Sequence, residues 1–257
     1  MHDTNRPTGR KSPIILRNSL AEWITAAALC AACFFFMWAY HDWWRAKPYS
    51  LLTANECFAL AGLFGVSLSL ALGPLRRMTD RLRVCEGKGT GSEPADGSAA
   101  EAACSEVPVP FLSRALAGAF RLRRPLGIVA AVFAAAHVVS ALLLLPEKYN
   151  WDYYMQEWLL LVLGIAVSLL LAAMAVSSTP GMLRRLGETK WRRLHGQGTL
   201  LLALILTHYL VLGKIGKWIE WFQLRDLPAP PGTLWLSLIG AAALAIRLID
   251  LCFPRSA

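Results

Sequence analysis

Six apolar runs constrain the fold of this chain more than any other feature of its sequence. A helix needs about 20 residues to cross the hydrocarbon of a bilayer, with about 17 as the practical minimum. The runs are Leu20–Tyr40, Thr53–Leu72, Leu126–Leu145, Trp158–Val176, Thr199–Leu212 and Thr233–Ile249. The fifth run is short unless its helix begins near Leu194 and includes Gly196 and Gln197. Lipid offers no partner for backbone polar groups, so we predict an all-α, polytopic membrane protein built as a six-transmembrane-helix bundle.

The charged residues predict how this bundle is oriented. Only 17% of the residues are charged, fewer than the roughly one quarter expected of a soluble domain. Of the lysines and arginines, 20 fall on one side of the alternating runs and 6 on the other. The positive-inside rule therefore predicts that both termini are cytoplasmic. The net charge of +9 then indicates topology and attraction to anionic membrane lipid, and we expect no nucleic-acid partner.

The segments between the runs predict the domain organisation. We expect cytoplasmic tails at 1–19 and 251–257, no soluble domain fused at either end, and one membrane domain at 20–250. Residues 86–110 are rich in Gly, Ser, Ala, Pro and Glu, which predicts a disordered cytoplasmic loop insertion. Apolar residues then recur at helical spacing from Phe111, with arginines around them, as is typical of an interfacial helix. The aromatic residues of 213–232 indicate a second interfacial helix. We expect the helix of the fourth run only to pack against its neighbours.

Two histidines inside apolar runs are the main functional signal. His137 lies in the third run and His208 in the fifth. An imidazole is costly to bury in hydrocarbon, so each is a candidate functional residue. At about 1.5 Å of rise per residue the two rings reach similar depth, which fits axial ligation of one haem b iron. The alternative is that each ring bonds a backbone carbonyl of a neighbouring helix. Ala130, Ala134 and Ala141 share a face with His137, and suit either a flat macrocycle or a helix–helix seam.

A third histidine, His195, lies in the basic lead-in to the fifth run. On an ideal helix it would point about 140° away from His208, although Gly196 and Gly198 permit an irregular start. It can ligate a second haem, shape a quinone or flavin site, or cap the lead-in. Nearby arginines are candidates to pair with haem propionates or to anchor the helix ends; they are Arg123, Arg124, Arg184, Arg185, Arg192 and Arg193.

Other chemistry is not supported by the sequence. No paired carboxylates, Ser/His/Asp set or phosphate-binding glycine loop is positioned to act, which argues against a hydrolase or a transferase. The six cysteines do not predict a disulfide framework. Cys30 and Cys33 have C-x-x-C spacing, but in a purely apolar run this indicates packing.

Several short motifs resemble the ferric-reductase-like transmembrane family. They are Arg123-Arg124-Pro125-Leu126-Gly127 with His137, Ser177-Ser178-Thr179, Arg184-Arg185-Leu186-Gly187, and Trp191-Arg192-Arg193-Leu194-His195 with His208. Within that family the chain is most similar to the haem-binding membrane subunits of bacterial periplasmic methionine-sulfoxide reductase systems. The position fourteen residues before His137 holds Arg123, where two-haem relatives carry a further histidine.

The resemblance implies an electron-transfer subunit of an oxidoreductase system in the bacterial inner membrane. It implies one haem b, or two, held by His137, His208 and His195, with Trp191, Arg123, Arg124, Arg192 and Arg193 as further cofactor-site candidates. FMN or a quinone is the expected additional cofactor. Electrons would come from the quinone pool or a flavin reductase and pass to a periplasmic molybdenum-dependent reductase. The alternatives are a stand-alone ferric or metal reductase-like cytochrome, and a haem-free membrane scaffold or transporter.

Overall fold

The computed structural model describes residues 18–43, 50–88, 109–224 and 230–252, and within them every regular element is helical. Ten helices and two π-helical segments follow in chain order. They are α1 (Leu20–Trp43), α2 (Leu51–Lys88), α3 (Val109–Arg121), α4 (Arg123–Val139) with a π segment at Ser140–Leu144, α5 (Trp151–Gln156), α6 (Trp158–Ser177), α7 (Pro180–Gly196), α8 (Gly198–Tyr209) with a π segment at Leu210–Lys214, α9 (Ile215–Leu224) and α10 (Gly232–Cys252).

The predicted six-helix membrane bundle is confirmed. Among the described residues, six helical stretches have the length and composition to cross a bilayer. They are Leu20–His41, Leu51–Thr79, Arg123–Leu144, Trp158–Ser177, Pro180–Leu212 and Gly232–Cys252. The fifth span is longer than its apolar run because α7 leads directly into α8. The cytoplasmic placement of both termini stays a prediction.

Two segments differ from the apolar run Thr53–Leu72 and the loop insertion 86–110 that the sequence predicts. Pro74 does not end α2, which continues to Lys88 with this proline inside it. Neighbouring helices can compensate for the backbone donor that a proline lacks, and Pro74 is fully buried in this bundle. The predicted insertion at 86–110 begins within the end of α2, and residues 89–108 lie outside the described part of the chain. Both predicted connecting helices exist, as α3 and α9.

Helix α2 is the centre of the bundle. In its apolar window 72% of the residues are buried, against 28% or less in each of the other five spans. It packs on α1, α4 and α10, and more lightly on α8. At one end of the bundle, Arg77 of α2 donates to the buried carboxylate of Asp250 in α10, with 2.6 Å between Nη2 and Oδ2. We call this the His195 end, because α7 lies there, and the opposite end the His137 end.

Small residues let α2 and α4 approach until their backbones touch. A Cβ atom built on Gly62 would lie 3.4 Å from the carbonyl oxygen of Ala130 and 3.4 Å from the backbone nitrogen of Ala134. A Cβ atom on Gly65 would lie 2.8 Å from Cβ of Ala130, closer than carbon atoms normally approach. Ala130 therefore belongs to a helix–helix seam.

We expect Gly65→Val to destabilise the bundle. The added side chain would collide with Ala130 and push α2 away from α4, and overpacking of this kind costs about 1–3 kcal/mol. The matched control is Gly118→Val in α3, where a Cβ atom meets nothing within 4 Å. Thermal unfolding in detergent should show a lower melting temperature for Gly65→Val only. Equal melting temperatures for the two variants would contradict a tight seam.

Candidate functional site

A cavity of about 460 Å³ lies among α2, α4, α6 and α8. This is within the range of about 300–1,000 Å³ that is typical of cofactor and ligand sites. Both His137 and His208 line this cavity, and so do Ala134 and Ala141. Most of the lining is aliphatic, and besides the two histidines its polar members are four tyrosines with Asn55, Glu56, Ser168 and Thr233. The structure thus brings together the two histidines that the sequence predicted to lie at similar depth.

The His137 ring is held by the start of α2. Its Nδ1 atom lies 3.1 Å from the backbone carbonyl oxygen of Asn55. A carbonyl can only accept, so Nδ1 carries the proton and donates it to this bond. Nε2 then keeps its lone pair and is the nitrogen that can bind a metal. The bond is the backbone contact that a purely structural histidine would also make, but it leaves the second ring nitrogen unused.

The His208 ring lies against a glycine of α6. A Cβ atom on Gly164 would be 3.4 Å from Cε1 and 3.9 Å from Nδ1 of His208, so a side chain larger than a methyl group would meet the ring. The backbone of Leu160 lies near the ring. Nδ1 is nevertheless buried without a hydrogen bond of good geometry. A buried polar atom of this kind is costly, and is common where a site serves a ligand.

The pair of imidazoles suits a particular class of metal group. A protein site for a bare zinc ion needs three or four ligands. Among the described residues, no group of three or more His, Cys, Asp or Glu side chains is placed to bind one ion. A haem iron already has four nitrogens from its porphyrin, so the protein supplies only axial ligands. Two imidazoles at an apolar cavity therefore fit a haem better than a bare ion.

A second cavity, of about 420 Å³, lies nearer the His195 end. It is lined by His195 and Trp191 of α7 and by residues of α2, α4 and α6. Nε2 of His195 lies 3.1 Å from the Ser177 hydroxyl oxygen, and the Trp191 ring lies over the imidazole with 4.3 Å between ring centroids. The helix breaks at Gln197, between α7 and α8. Thus His195 does not join His137 and His208 at the first cavity.

The candidate arginines fall into two groups. Arg123 and Arg124 line the second cavity, together with Arg121. Arg124 donates to the Asn18 side chain over 3.4 Å, and its Nε atom is buried without a hydrogen bond. The side chain of Arg192 is 72% exposed and bonds Glu188. Arg193 is also exposed, and neither Arg192 nor Arg193 lines either cavity. A cofactor role for these two stays a prediction.

The two cavities share part of their lining. Val66 of α2 and Leu171 of α6 belong to both. The cavities therefore follow one another along the groove between these helices.

Comparison with known proteins identifies the family. Residues 106–207 match the family described as ferric reductase like transmembrane component. This part of the chain is similar to the ferric-reductase-like transmembrane family. The matched stretch contains His137 and His195 and stops one residue before His208. With its six spans, the chain is a multi-pass protein of the bacterial inner membrane.

Curated relatives point to one branch of the ferric-reductase-like family. The protein-methionine-sulfoxide reductase heme-binding subunit MsrQ of Rhodospirillum rubrum is 32% identical over 132 residues, which are 50% of this chain and 57% of that protein. MsrQ of Caulobacter vibrioides is 32% identical over 97 residues, 37% of this chain and 46% of that protein. Magnetosome protein MamZ of Magnetospirillum gryphiswaldense is 30% identical over 96 residues, 35% of this chain and 14% of that protein. The chain spans about half the length of the MsrQ relatives it matches.

Sequence reasoning missed several residues of this ferric-reductase-like site. The fourth run was expected only to pack, yet its Gly164 makes room for His208 and its Ser168 lines the first cavity. Glycine in an apolar helix gives no sign of which partner it faces. Asn55 was also missed, although an amide at the start of an apolar run is a usable signal, because buried polar groups need partners.

Proposed function

We propose that this chain is the haem b-carrying electron-transfer subunit of a bacterial membrane oxidoreductase system, with His137 and His208 as axial ligands of one haem iron. The observation that carries this proposal is the pair of imidazoles at one largely apolar cavity, where the described residues form no group of three or more His, Cys, Asp or Glu side chains that could bind a bare ion. When bound, haem b supplies a reversible one-electron couple. The heme-binding activity named for the MsrQ relatives agrees with this assignment.

The protein residues around the pair have defined tasks in this proposal. His137 presents Nε2 because its Nδ1–H is held by the Asn55 carbonyl. His208 occupies its position because Gly164 has no side chain to displace it. The aliphatic lining excludes water from the site. This favours the less charged oxidation state of a haem bound there and so changes the reduction potential of that haem.

We assign the second cavity to the electron donor, a quinol or an FMN-type flavin. Arg123 and Arg124 supply positive charge for a phosphate or a carbonyl oxygen, and Trp191 supplies an aromatic face. A second haem is the less favoured occupant. Within the described lining of this cavity His195 is the only histidine, and its Nε2 already bonds Ser177. The shared residues Val66 and Leu171 give a direct route to the first cavity.

The proposed acceptor is a periplasmic, molybdenum-dependent methionine-sulfoxide reductase. The methionine-sulfoxide reductase class follows from the names of the MsrQ relatives. The periplasmic side follows from the predicted orientation, in which the His137 end faces the periplasm, and the molybdenum follows from the family resemblance. Electrons would then travel from the cytoplasmic half of the bilayer to its outer face. Purification of the chain together with such a reductase, after co-expression, would support this acceptor, and failure of the reduced chain to transfer electrons to it would exclude it.

Loss of a ligand should remove the haem. We expect His137→Ala and His208→Ala each to lose most of the bound haem, because one axial bond remains where two are needed. His195→Ala should keep most of it. The measurement is haem per purified protein, from the dithionite-reduced minus oxidised absorption spectrum. The wild type must show b-type bands; their absence would favour a haem-free scaffold or transporter. Complete loss of haem in His195→Ala alone would contradict the assigned pair.

Filling the space beside His208 should weaken haem binding without removing a ligand. In Gly164→Leu the new side chain would push the imidazole away from the cavity. Displacing a supported metal ligand typically lowers affinity by about 10–100-fold. The control is Ala173→Leu, which adds the same side chain at an exposed position of the same helix. Haem titration of the two purified apoproteins should show weaker binding for Gly164→Leu only, and equal affinities would contradict the contact's role.

Neutralising the second cavity should slow electron entry but leave the haem in place. We expect Arg124→Gln to reduce the rate of haem reduction by a quinol analogue or reduced FMN about tenfold or more, since a hydrogen bond to a charged group contributes about 1.5–3 kcal/mol. Dithionite reduction and haem content should stay unchanged. Arg192→Gln is the matched control, because Arg192 lies outside both cavities. Stopped-flow absorption measures the rate. An unchanged rate in Arg124→Gln would move the donor site elsewhere.

A further inference from the structure

Asn55 joins three parts of the structure at the His137 end of the bundle. It lies in the first turns of α2 and is only 1% exposed. Its backbone carbonyl accepts from Nδ1 of His137 over 3.1 Å, and its Oδ1 accepts from the Ser140 hydroxyl over 2.5 Å. The Tyr149 hydroxyl lies close to its side-chain amide. Burial, with Tyr153 and Glu56 nearby, raises the pKa of Tyr149 to about 12, so this phenol stays neutral.

Ser140, which follows α4, completes this hydrogen-bond network. Its buried hydroxyl lies within hydrogen-bond distance of both Asn55 Oδ1 and the backbone carbonyl oxygen of His137, the latter at 3.0 Å. Ser140 is also the first residue of the π segment that follows α4. The ring, its own backbone and the start of α2 are therefore tied together through two buried polar side chains.

This geometry determines how His137 can act as a ligand. The Nδ1–H···O bond fixes the tautomer and restrains rotation of the ring about its bond to Cβ. A hydrogen bond at Nδ1 also raises the electron density at Nε2, because it draws the proton away from the ring. A more basic imidazole stabilises the oxidised form of an iron that it binds, and this lowers the reduction potential.

We propose that Asn55 and Ser140 are positioning residues, which hold the Nδ1–H···O bond of His137 and thereby lower the reduction potential of the haem. The proposal rests on the proposed function, since it needs His137 to bind haem iron. Ser140 acts by holding the Asn55 amide and the His137 backbone in register. The side chain of Asn55 acts by keeping its own carbonyl, through Ser140 and Tyr149, at the distance that the imidazole needs.

The test compares four variants of the full-length protein with the wild type. Ser140→Ala removes the hydroxyl, Asn55→Ala removes the amide, and Ser140→Thr keeps a hydroxyl at the same position. Ser67→Ala is the control, because Ser67 is a fully buried serine of α2 whose hydroxyl makes no hydrogen bond among the described residues. Four quantities are measured: haem per protein, the midpoint potential from a redox titration, the electron paramagnetic resonance spectrum of the oxidised haem, and the melting temperature.

We expect Ser140→Ala and Asn55→Ala to keep most of their haem, with a raised midpoint potential and a broadened low-spin signal, because the ring samples more orientations. Ser140→Thr should restore both properties toward the wild type, and Ser67→Ala should match it. Unchanged potential and line width in Ser140→Ala, with haem present, would overturn the positioning role while leaving the haem proposal intact. A fall in melting temperature alone would likewise assign Ser140 to packing. Absence of haem from the wild type would overturn both proposals.

Discussion

The backbone contact between α2 and α4 is the constraint on which the rest of the structure depends. Gly62 and Gly65 allow it, and Ala130 and Ala134 complete it. Because the two helices touch along this seam, the first turns of α2 come within hydrogen-bond distance of the His137 ring. A wider separation would break that bond. Packing of the smallest side chains thus determines the position of a ring that stands seven residues beyond Ala130.

The two cavities divide the length of the bundle between different kinds of chemistry. The first is apolar and carries two imidazoles, whereas the second combines arginines with an indole and a hydroxyl-bonded histidine. A buried apolar environment suits a group that changes charge by one electron with little rearrangement of its surroundings. A cationic environment suits an anionic or polar group that binds reversibly. Both environments are built on α2, α4 and α6, so neither can shift without the other.

Much of this arrangement could be predicted from the sequence, and the reasons for the exceptions are physical. The six spans follow from the length of the apolar runs, and His137 and His208 stand out because imidazoles are rare in hydrocarbon. The part played by Gly164 could not be foreseen, because a glycine's importance depends on a partner from another helix. Asn55 and His137 are 82 residues apart, and no local pattern connects them. Pro74 resembles a helix end locally, but tertiary packing keeps α2 continuous.

Each histidine of the first cavity is followed at once by a π-helical segment, Ser140–Leu144 after His137 and Leu210–Lys214 after His208. A π turn contains one more residue than an α turn, and one extra residue rotates everything beyond it by about 100°. Each π segment therefore changes which face the side chains beyond it present, relative to the face that carries the histidine. Natural selection can in consequence reshape the surface that an outside protein would touch, by changing these distal stretches, while the two rings keep their mutual orientation.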